Sequence, residues 1–209
     1  MRKASNSLKS IVYQETLDGI ISGEYKAGQI INEQELVAKF GFSKSPVREA
    51  LIALCNERVL QNIPRYGYEV VRLSSKDVNQ ILRFRFILEG GLLQQSYEQI
   101  TEEQMTELYH LDDLCNITSD EVWTHWEHNT NFHLKLASLS GNTYAYQQLE
   151  RSMDILKRAY AQFYWDKWNA QFNPFDMRYH RAILSCIREK DMDKALEYLD
   201  LDLKDFRSM

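Results

Sequence analysis

Apolar residues return at three- and four-residue steps from the start of the chain. Leu8, Ile11, Val12, Ile20 and Ile21, with Thr16 between them, share one face of a first helix that Gly23 terminates. Asn32-Glu33-Gln34-Glu35 reads as an N-cap with an acid three residues later. It opens a short helix through Leu36 and Phe40 that Gly41 ends. Ser43 then caps a third helix, with Pro46 in the first turn, where a missing N–H costs nothing. Val47, Ala50, Leu51 and Leu54 give this helix an apolar stripe, leaving Lys44, Ser45 and Arg48 off that stripe. The period then changes. Residues 59–63 and 68–71 are β-prone runs on either side of Pro64-Arg65-Tyr66-Gly67, predicting a small hairpin with Arg65 at its tip.

From Lys76 onward the pattern is helical throughout. Helices are expected over about 75–98, 101–116, 120–138, 143–167, 174–189 and 192–207. The breaks fall at Thr101, Thr118-Ser119, Ser140-Gly141-Asn142 and Asn173-Pro174, residues that cap or interrupt helices. The expected fold is mostly α: a winged helix-turn-helix with a small β-hairpin wing over 1–74, then an antiparallel six- to seven-helix bundle over 75–209. Leu73-Ser74-Ser75 makes the link between them short and supplies an N-cap.

Composition refines this picture without changing it. A chain of 209 residues, 44% hydrophobic and 12% aromatic, has ample material for packed cores. Arg2, Lys3 and Lys9 have no apolar run behind them, so neither a secretory signal nor a membrane span is expected, and the expected address is the cytoplasm. Cys55, Cys115 and Cys186 lack paired-ligand spacing and are expected to be buried reduced thiols. The net charge of -5 speaks against a nucleic-acid partner until the chain is divided. Residues 1–76 carry 11 Lys/Arg and 8 Asp/Glu, hence +3; residues 77–209 carry 14 and 22, hence -8. Polyanion contacts would then be confined to one end, and the placement of Lys44, Arg48 and Arg65 matters more than the total.

In a helix-turn-helix the second helix enters the major groove and its N-terminal residues reach the base edges, the position of Lys44, Ser45 and Arg48. A helical hairpin with a solvated charged face is the alternative reading of the spacing alone, and the hairpin that follows favours the winged helix.

At this point the sequence resembles the GntR family of transcription regulators. The resemblance lies in Ser22-Gly23-Glu24-Tyr25-Lys26-Ala27-Gly28, residues 32–37, residues 41–51 and Arg65-Tyr66-Gly67-Tyr68, in the family's order. It implies a DNA-binding set of Gln34, Ser43, Lys44, Ser45, Arg48, Arg65 and Gly67. Lys44 and Arg48 would contact bases and phosphates, and Gly67 would let the wing tip approach the minor groove. Gln34 stands where an arginine is common and Arg58 where a glycine is common. Gln34 still donates hydrogen bonds but brings no charge.

The second half resembles the FadR subfamily, through Arg85-Phe86-Ile87-Leu88-Glu89, residues 129–134, Ser140-Gly141-Asn142 and residues 179–183 with Asp191 downstream. Many of its members bind a divalent metal and an organic-acid effector in the bundle. The implied ligands are Asn129, His133, His180 and Asp202, where the subfamily usually has Asp, His, His and His. An anion is lost at one place and gained at another. Asn129 and His133 are four residues apart on one helix, so their side chains can grip one ion, and the set suits Zn²⁺, Mn²⁺ or Ni²⁺. Arg85 aligns with a cavity arginine, whose fork would hold a carboxylate by two hydrogen bonds; a surface salt bridge is its alternative. Ordinary buried histidines are the alternative for His133 and His180.

His125 and His128 read as surface or packing residues. Tyr160, Phe163, Tyr164, Trp165 and Trp168 read as core or dimer interface. The expected function is a ligand-responsive, homodimeric transcription regulator. It would repress a catabolic operon on a double-stranded operator until a small organic or sugar acid releases it, and would not be an enzyme. A metal-dependent enzyme with a winged-helix docking module is the alternative, since two histidines and a carboxylate can activate water, but no base stands at a recognisable spacing.

Overall fold

A computed structural model describes residues 7–116, 122–164 and 178–205. In chain order the elements are α1 (Leu8–Ile21), β1 (Ile30–Ile31), α2 (Glu33–Phe40), α3 (Lys44–Asn56), β2 (Leu60–Ile63), β3 (Gly67–Val70), α4 (Ser75–Ser96), α5 (Glu102–Cys115), α6 (Val122–Ser138), α7 (Thr143–Tyr164), α8 (Arg178–Arg188) and α9 (Met192–Asp205). A short 3-10 turn at Tyr97–Gln99 takes over where α4 was expected to continue. The expected breaks at Thr118-Ser119 and Asn173-Pro174, the helix starts at 120 and 174, the end at 207, Trp165 and Trp168 lie outside the described residues.

The chain divides into two compact units. The first is Met1–Ser74 together with Lys157–Lys167, and the second is Ser75–Leu156 with Trp168–Met209. In the first, the predicted apolar stripes meet. Val12 and Ile20 of α1, Leu36 of α2 and Val47, Ala50, Leu51 and Leu54 of α3 form one cluster with Ile31, Leu60, Tyr68 and Val70 of the sheet. Thr16 is also buried there, and its hydroxyl donates to the Val12 carbonyl oxygen. The helix ends follow local chemistry. Asn32 accepts from the Gln34 amide at 2.9 Å, and Gly41, at φ 69°, donates to the Val37 carbonyl. Ser43 occupies the N-cap of α3 in extended conformation, but its hydroxyl makes no capping bond, so the expected cap is positional only.

The wing is larger than a hairpin. Its three strands lie in the order β1-β3-β2, all antiparallel, with Ile31 opposite Tyr68 and Ile63 opposite Gly67. Two residues of β1 are too few for an alternating pattern to reveal. The last turns of α7 also belong to this unit. The Gln162 side chain donates to the Val71 carbonyl at 2.8 Å and accepts from the Leu73 amide at 2.9 Å. Arg158 donates to the Arg58 carbonyl at 2.9 Å. Arg58 itself has φ 55°, a left-handed conformation that glycine adopts without strain.

The second unit is helical. Helix α9 packs on α8 and α4, and α5 packs on α6 and α8. Thr101 and Gln104 form a reciprocal capping box at the start of α5. Leu92, Ala137, Ala145, Leu149 and Met153 build one apolar cluster. Cys115 and Cys186 are buried and Cys55 half-buried, all as free thiols; burial, with Asp112 and Asp202 nearby, pushes the Cys115 thiol up to about 12. Tyr160 is buried, as expected of core, whereas Phe163 is exposed.

Candidate functional site

Two groups of polar side chains stand out, one exposed in the first unit and one buried in the second. On α3 the apolar stripe faces the core, so Lys44, Ser45 and Arg48 are all exposed at the head of the helix. The Ser45 hydroxyl donates to Glu49 one turn on, at 3.0 Å. Arg48 Nε and Nη2 donate to the two carboxylate oxygens of Glu33, each at 3.0 Å, a forked pair tying α3 to the start of α2. That pairing raises the Arg48 pKa. One edge of the Arg48 guanidinium is therefore engaged within the protein, while Lys44 is not drawn into any such fork among the described residues. Gln34 is exposed beside Glu33, and Arg65 is exposed in the wing turn at φ 73°.

Gly67 has a structural reason that the sequence did not reveal. It sits at φ 133°, and a Cβ there would lie 2.6 Å from the carbonyl oxygen of Ile31 on β1. Any side chain here would push against β1 and strain the backbone, which glycine avoids. Beside it, Tyr66 is 69% exposed at the wing tip, a residue to which the sequence reading gave no role.

The buried group draws on five helices. Arg85 and Glu89 lie one turn apart on α4, Asp112 on α5, Asn129 and His133 one turn apart on α6, His180 on α8 and Asp202 on α9; all are buried. Arg85 Nε donates to Glu89 Oε1 at 2.7 Å, and Glu89 Oε2 meets His133 Nδ1 at 2.7 Å. On its other side, His133 Nε2 is 3.1 Å from Asp202 Oδ2, and His180 Nε2 is 3.6 Å from Asp202 Oδ1. His180 Nδ1 is 3.9 Å from Asp112 Oδ1, while Arg181 Nε ion-pairs with Asp112 Oδ2 at 2.7 Å. Phe132 stacks on the His180 ring, 3.8 Å between centroids and 11° from parallel.

Each group is held in a charge state by its neighbours. Burial alone would raise the Glu89 pKa, but Arg85 and His133 overcome it and hold the carboxyl down to about 2. Burial works against charge on His133 as well; the adjacent Glu89 carboxylate outweighs it and raises the ring's pKa. Burial lowers His180 to about 4 despite Asp202. Asp202, buried like the rest, is kept below the usual carboxylate range chiefly by His180 and His133. Burial raises Asp112, against the pull of Arg181.

The donor set suits a divalent cation. One ligand atom from each of His133, His180 and Asp202 lies within 4.8 Å of the others, two imidazole nitrogens and a carboxylate oxygen. Tetrahedral metal bonds of roughly 2.0–2.1 Å put neighbouring ligand atoms about 3.3 Å apart; here His133 Nε2 is 3.1 Å from Asp202 Oδ2, His180 Nε2 is 3.6 Å from Asp202 Oδ1, and the three residues' ligand atoms lie within 4.8 Å, a somewhat wider set. Among the described residues, His133 Nε2, both His180 nitrogens, Asp202 Oδ2 and Asn129 Nδ2 have no hydrogen-bond partner; neither do Arg85 Nη1 and Nη2. Buried polar atoms left this way mark a place where a ligand or ion completes the set. Of the four ligands implied by resemblance, His133, His180 and Asp202 converge, and Asn129 sits one turn before His133. His125 is buried and His128 half-buried, in keeping with packing roles.

Glu33, Glu89, Asp112 and Arg181 were not singled out from sequence. An arginine and a glutamate at i and i+4 read as a surface pair on any helix, and only burial distinguishes Arg85 and Glu89 from one.

A winged helix with cations at the head of its recognition helix, in one chain with a helical unit holding a buried ionic cluster, defines a DNA-binding regulator with a sensing domain. Residues 8–70 match the model for bacterial regulatory proteins of the gntR family, and residues 80–204 match the FCD domain. The chain belongs to the GntR family of transcription regulators and carries an FCD domain. It is 28% identical over 192 residues to the HTH-type transcriptional regulator YdhC of Bacillus subtilis, covering 90% of this chain and 84% of that one. It is 26% identical over 220 residues to the transcriptional repressor NanR of Klebsiella aerogenes, covering 96% and 84%. Over 47% of its length, and 40% of the relative's, it is 30% identical to the gluconate operon transcriptional repressor of Bacillus licheniformis. A GntR regulator from Rhodococcus shares the fold, with a TM-score of 0.72 and 20% identity over 96% of this chain and 95% of that one.

Proposed function

We propose that this regulator is a homodimeric repressor of a catabolic operon in the bacterial cytoplasm, released from its operator by a small organic or sugar acid. The observation that carries the effector reading is the Arg85 guanidinium, fully buried with Nη1 and Nη2 unpartnered among the described residues, in one cluster with His133, His180 and Asp202. A carboxylate satisfies both nitrogens at once. Asn129, His133, His180 and Asp202 would hold Zn²⁺, Mn²⁺ or Ni²⁺, and that ion would supply a positive anchor for an acidic effector. The gluconate operon repressor and NanR are both repressors, which supports repression as the mode of action.

On the DNA side, Lys44 and Gln34 are the base readers. Arg48, with one edge of its fork given to Glu33, contacts phosphate, as do Ser43 and Ser45, and Arg65 enters the minor groove from the wing. Two recognition helices related by a two-fold axis require a near-palindromic operator and a dimer. Exposed Phe84 and Ile87 on α4 offer an apolar face for that contact.

The test is fluorescence anisotropy on DNA from the regulator's own upstream region, with candidate sugar acids and dicarboxylates added to the metal-loaded protein. A responsive acid should release wild type and leave Arg85→Ala bound. Release of both to the same extent would refute the role of Arg85. Unchanged binding by a Lys44→Ala, Arg48→Ala double variant would refute the recognition helix.

A further inference from the structure

The buried cluster has an order that a list of metal ligands does not capture. One run goes arginine, carboxylate, histidine and ends on Asp202, and a looser run of the same residue types reaches Asp202 from other helices. We propose that Glu89 is a positioning residue: Arg85 locks it, and it turns His133 so that its Nε2 lone pair points at Asp202. The affinity readout below rests on the metal reading given above; the proton position does not.

The first arm is the tighter. Arginine has donors only, so Arg85 Nε at 2.7 Å commits Glu89 Oε1 to itself and leaves Oε2 for the ring 2.7 Å away. A carboxylate paired with a guanidinium accepts only, so the hydrogen between Glu89 Oε2 and His133 Nδ1 sits on the ring nitrogen. The neutral ring then has its lone pair on Nε2, facing Asp202 Oδ2 at 3.1 Å. Two acceptors that close are reconciled by a proton on the ring or by a metal ion between them. Arg85, Glu89, His133 and Asp202 are all buried from bulk solvent.

The second arm, on other helices, is looser. Arg181 ion-pairs with Asp112 Oδ2 at 2.7 Å, while Asp112 Oδ1 accepts from Asn116 Nδ2 at 3.5 Å and lies 3.9 Å from His180 Nδ1, too far for a hydrogen bond. The Phe132 stack fixes the plane of the His180 ring, so its nitrogens face Asp112 on one side and Asp202 on the other. This arm is softer, because the Arg181 side chain is 51% exposed and also reaches Asp113. Outer carboxylates that orient metal-binding histidines in this way are worth roughly 10- to 100-fold in metal affinity.

The substitution Glu89→Gln separates positioning from mere packing, since the amide has nearly the same shape. Arg85 still offers only donors, so the amide oxygen must face it and the NH2 must face His133. Nδ1 becomes an acceptor, the proton moves to Nε2, and the metal position is blocked.

The experiment uses the full chain stripped with chelator. Side-chain 15N NMR reads each histidine at a pH where the rings are neutral, and calorimetric titration with Mn²⁺, Ni²⁺ or Zn²⁺ alone reads affinity. Wild type should show Nδ1–H on His133. Glu89→Gln should move His133 to Nε2–H and weaken metal binding by roughly 10- to 100-fold. Glu89→Asp, which keeps a carboxylate, should retain the Nδ1–H form, and with the wild-type spectrum it still decides the matter should Glu89→Gln not fold. Nε2–H on His133 in wild type, or a Glu89→Gln protein with unchanged proton position and affinity, overturns the proposal. A wild type that takes no metal but shows Nδ1–H on His133, lost in Glu89→Gln, sustains the positioning role and overturns the metal reading instead.

Discussion

The two units place their charges in opposite ways. In the first, the buried cluster is apolar, with Thr16 satisfied by a backbone carbonyl, and Lys44, Arg48 and Arg65 all stay in water. In the second, Arg85, Glu89, His133, His180, Asp112 and Asp202 are all removed from solvent and depend on one another. Exposed cations cost little to maintain and suit a long polyanion, whose binding is driven by release of counterions and is weakened by salt. Enclosed charges cost desolvation and are largely insulated from salt, which suits a small ion or acid recognised by fixed geometry. Substitutions in the first unit's charged face should therefore change binding without changing stability, and substitutions in the second unit's cluster should change both.

The largest expected effect tests the buried side. Glu89→Ala leaves Arg85 enclosed without its anion and should cost about 3–5 kcal/mol in urea unfolding; a loss of the size typical of a surface salt bridge would mean the cluster is solvated. Close behind it, Leu54→Ala opens a cavity beneath α3 at a fully buried site and should cost about 2–5 kcal/mol by the same measurement. Gly67→Ala should follow, at about 1–3 kcal/mol, because its Cβ meets the Ile31 carbonyl oxygen and the chain is at positive φ. A melting temperature equal to wild type would show that β1 can move away at no cost.

On the exposed side, Lys44→Ala should leave melting unchanged and lower operator affinity by about 1–3 kcal/mol if the lysine reads a base, or reduce the salt slope by about 1 if it meets a phosphate. Equal affinity at every salt concentration would remove Lys44 from the interface. The smallest effect is expected for Glu33→Gln. It frees the Arg48 fork, should alter stability by no more than about 0.5 kcal/mol, and should strengthen binding to non-operator DNA. Weaker binding to all DNA would instead mean that Glu33 holds Arg48 in its working position.

Much of this was legible because it depends on neighbours in sequence. Asn32, Gly41 and Thr101 act within a few residues of themselves, and the stripe Val47, Ala50, Leu51, Leu54 needs only the helical period. The wing hairpin follows from a turn between two β-prone runs. What escaped has long-range causes. Strand β1 exists because β3 offers it an edge, the last turns of α7 join the first unit through Gln162 and Arg158, and Glu33 meets Arg48 only after α2 and α3 have packed. Glu89 was in view within a matching motif, yet its role depends on burial, which no spacing shows.

By itself, then, the sequence determined the order of the described helices and the wing hairpin, the cationic head of α3 and the presence of His133, His180 and Asp202, since periodicity, caps and residue chemistry are local properties. Only the tertiary structure decided that four helices bring Glu89, His133, His180 and Asp202 into one buried cluster, and that a side chain at Gly67 would meet a neighbouring strand. Those are distances between residues remote in the chain, and they are set by which apolar faces bury one another.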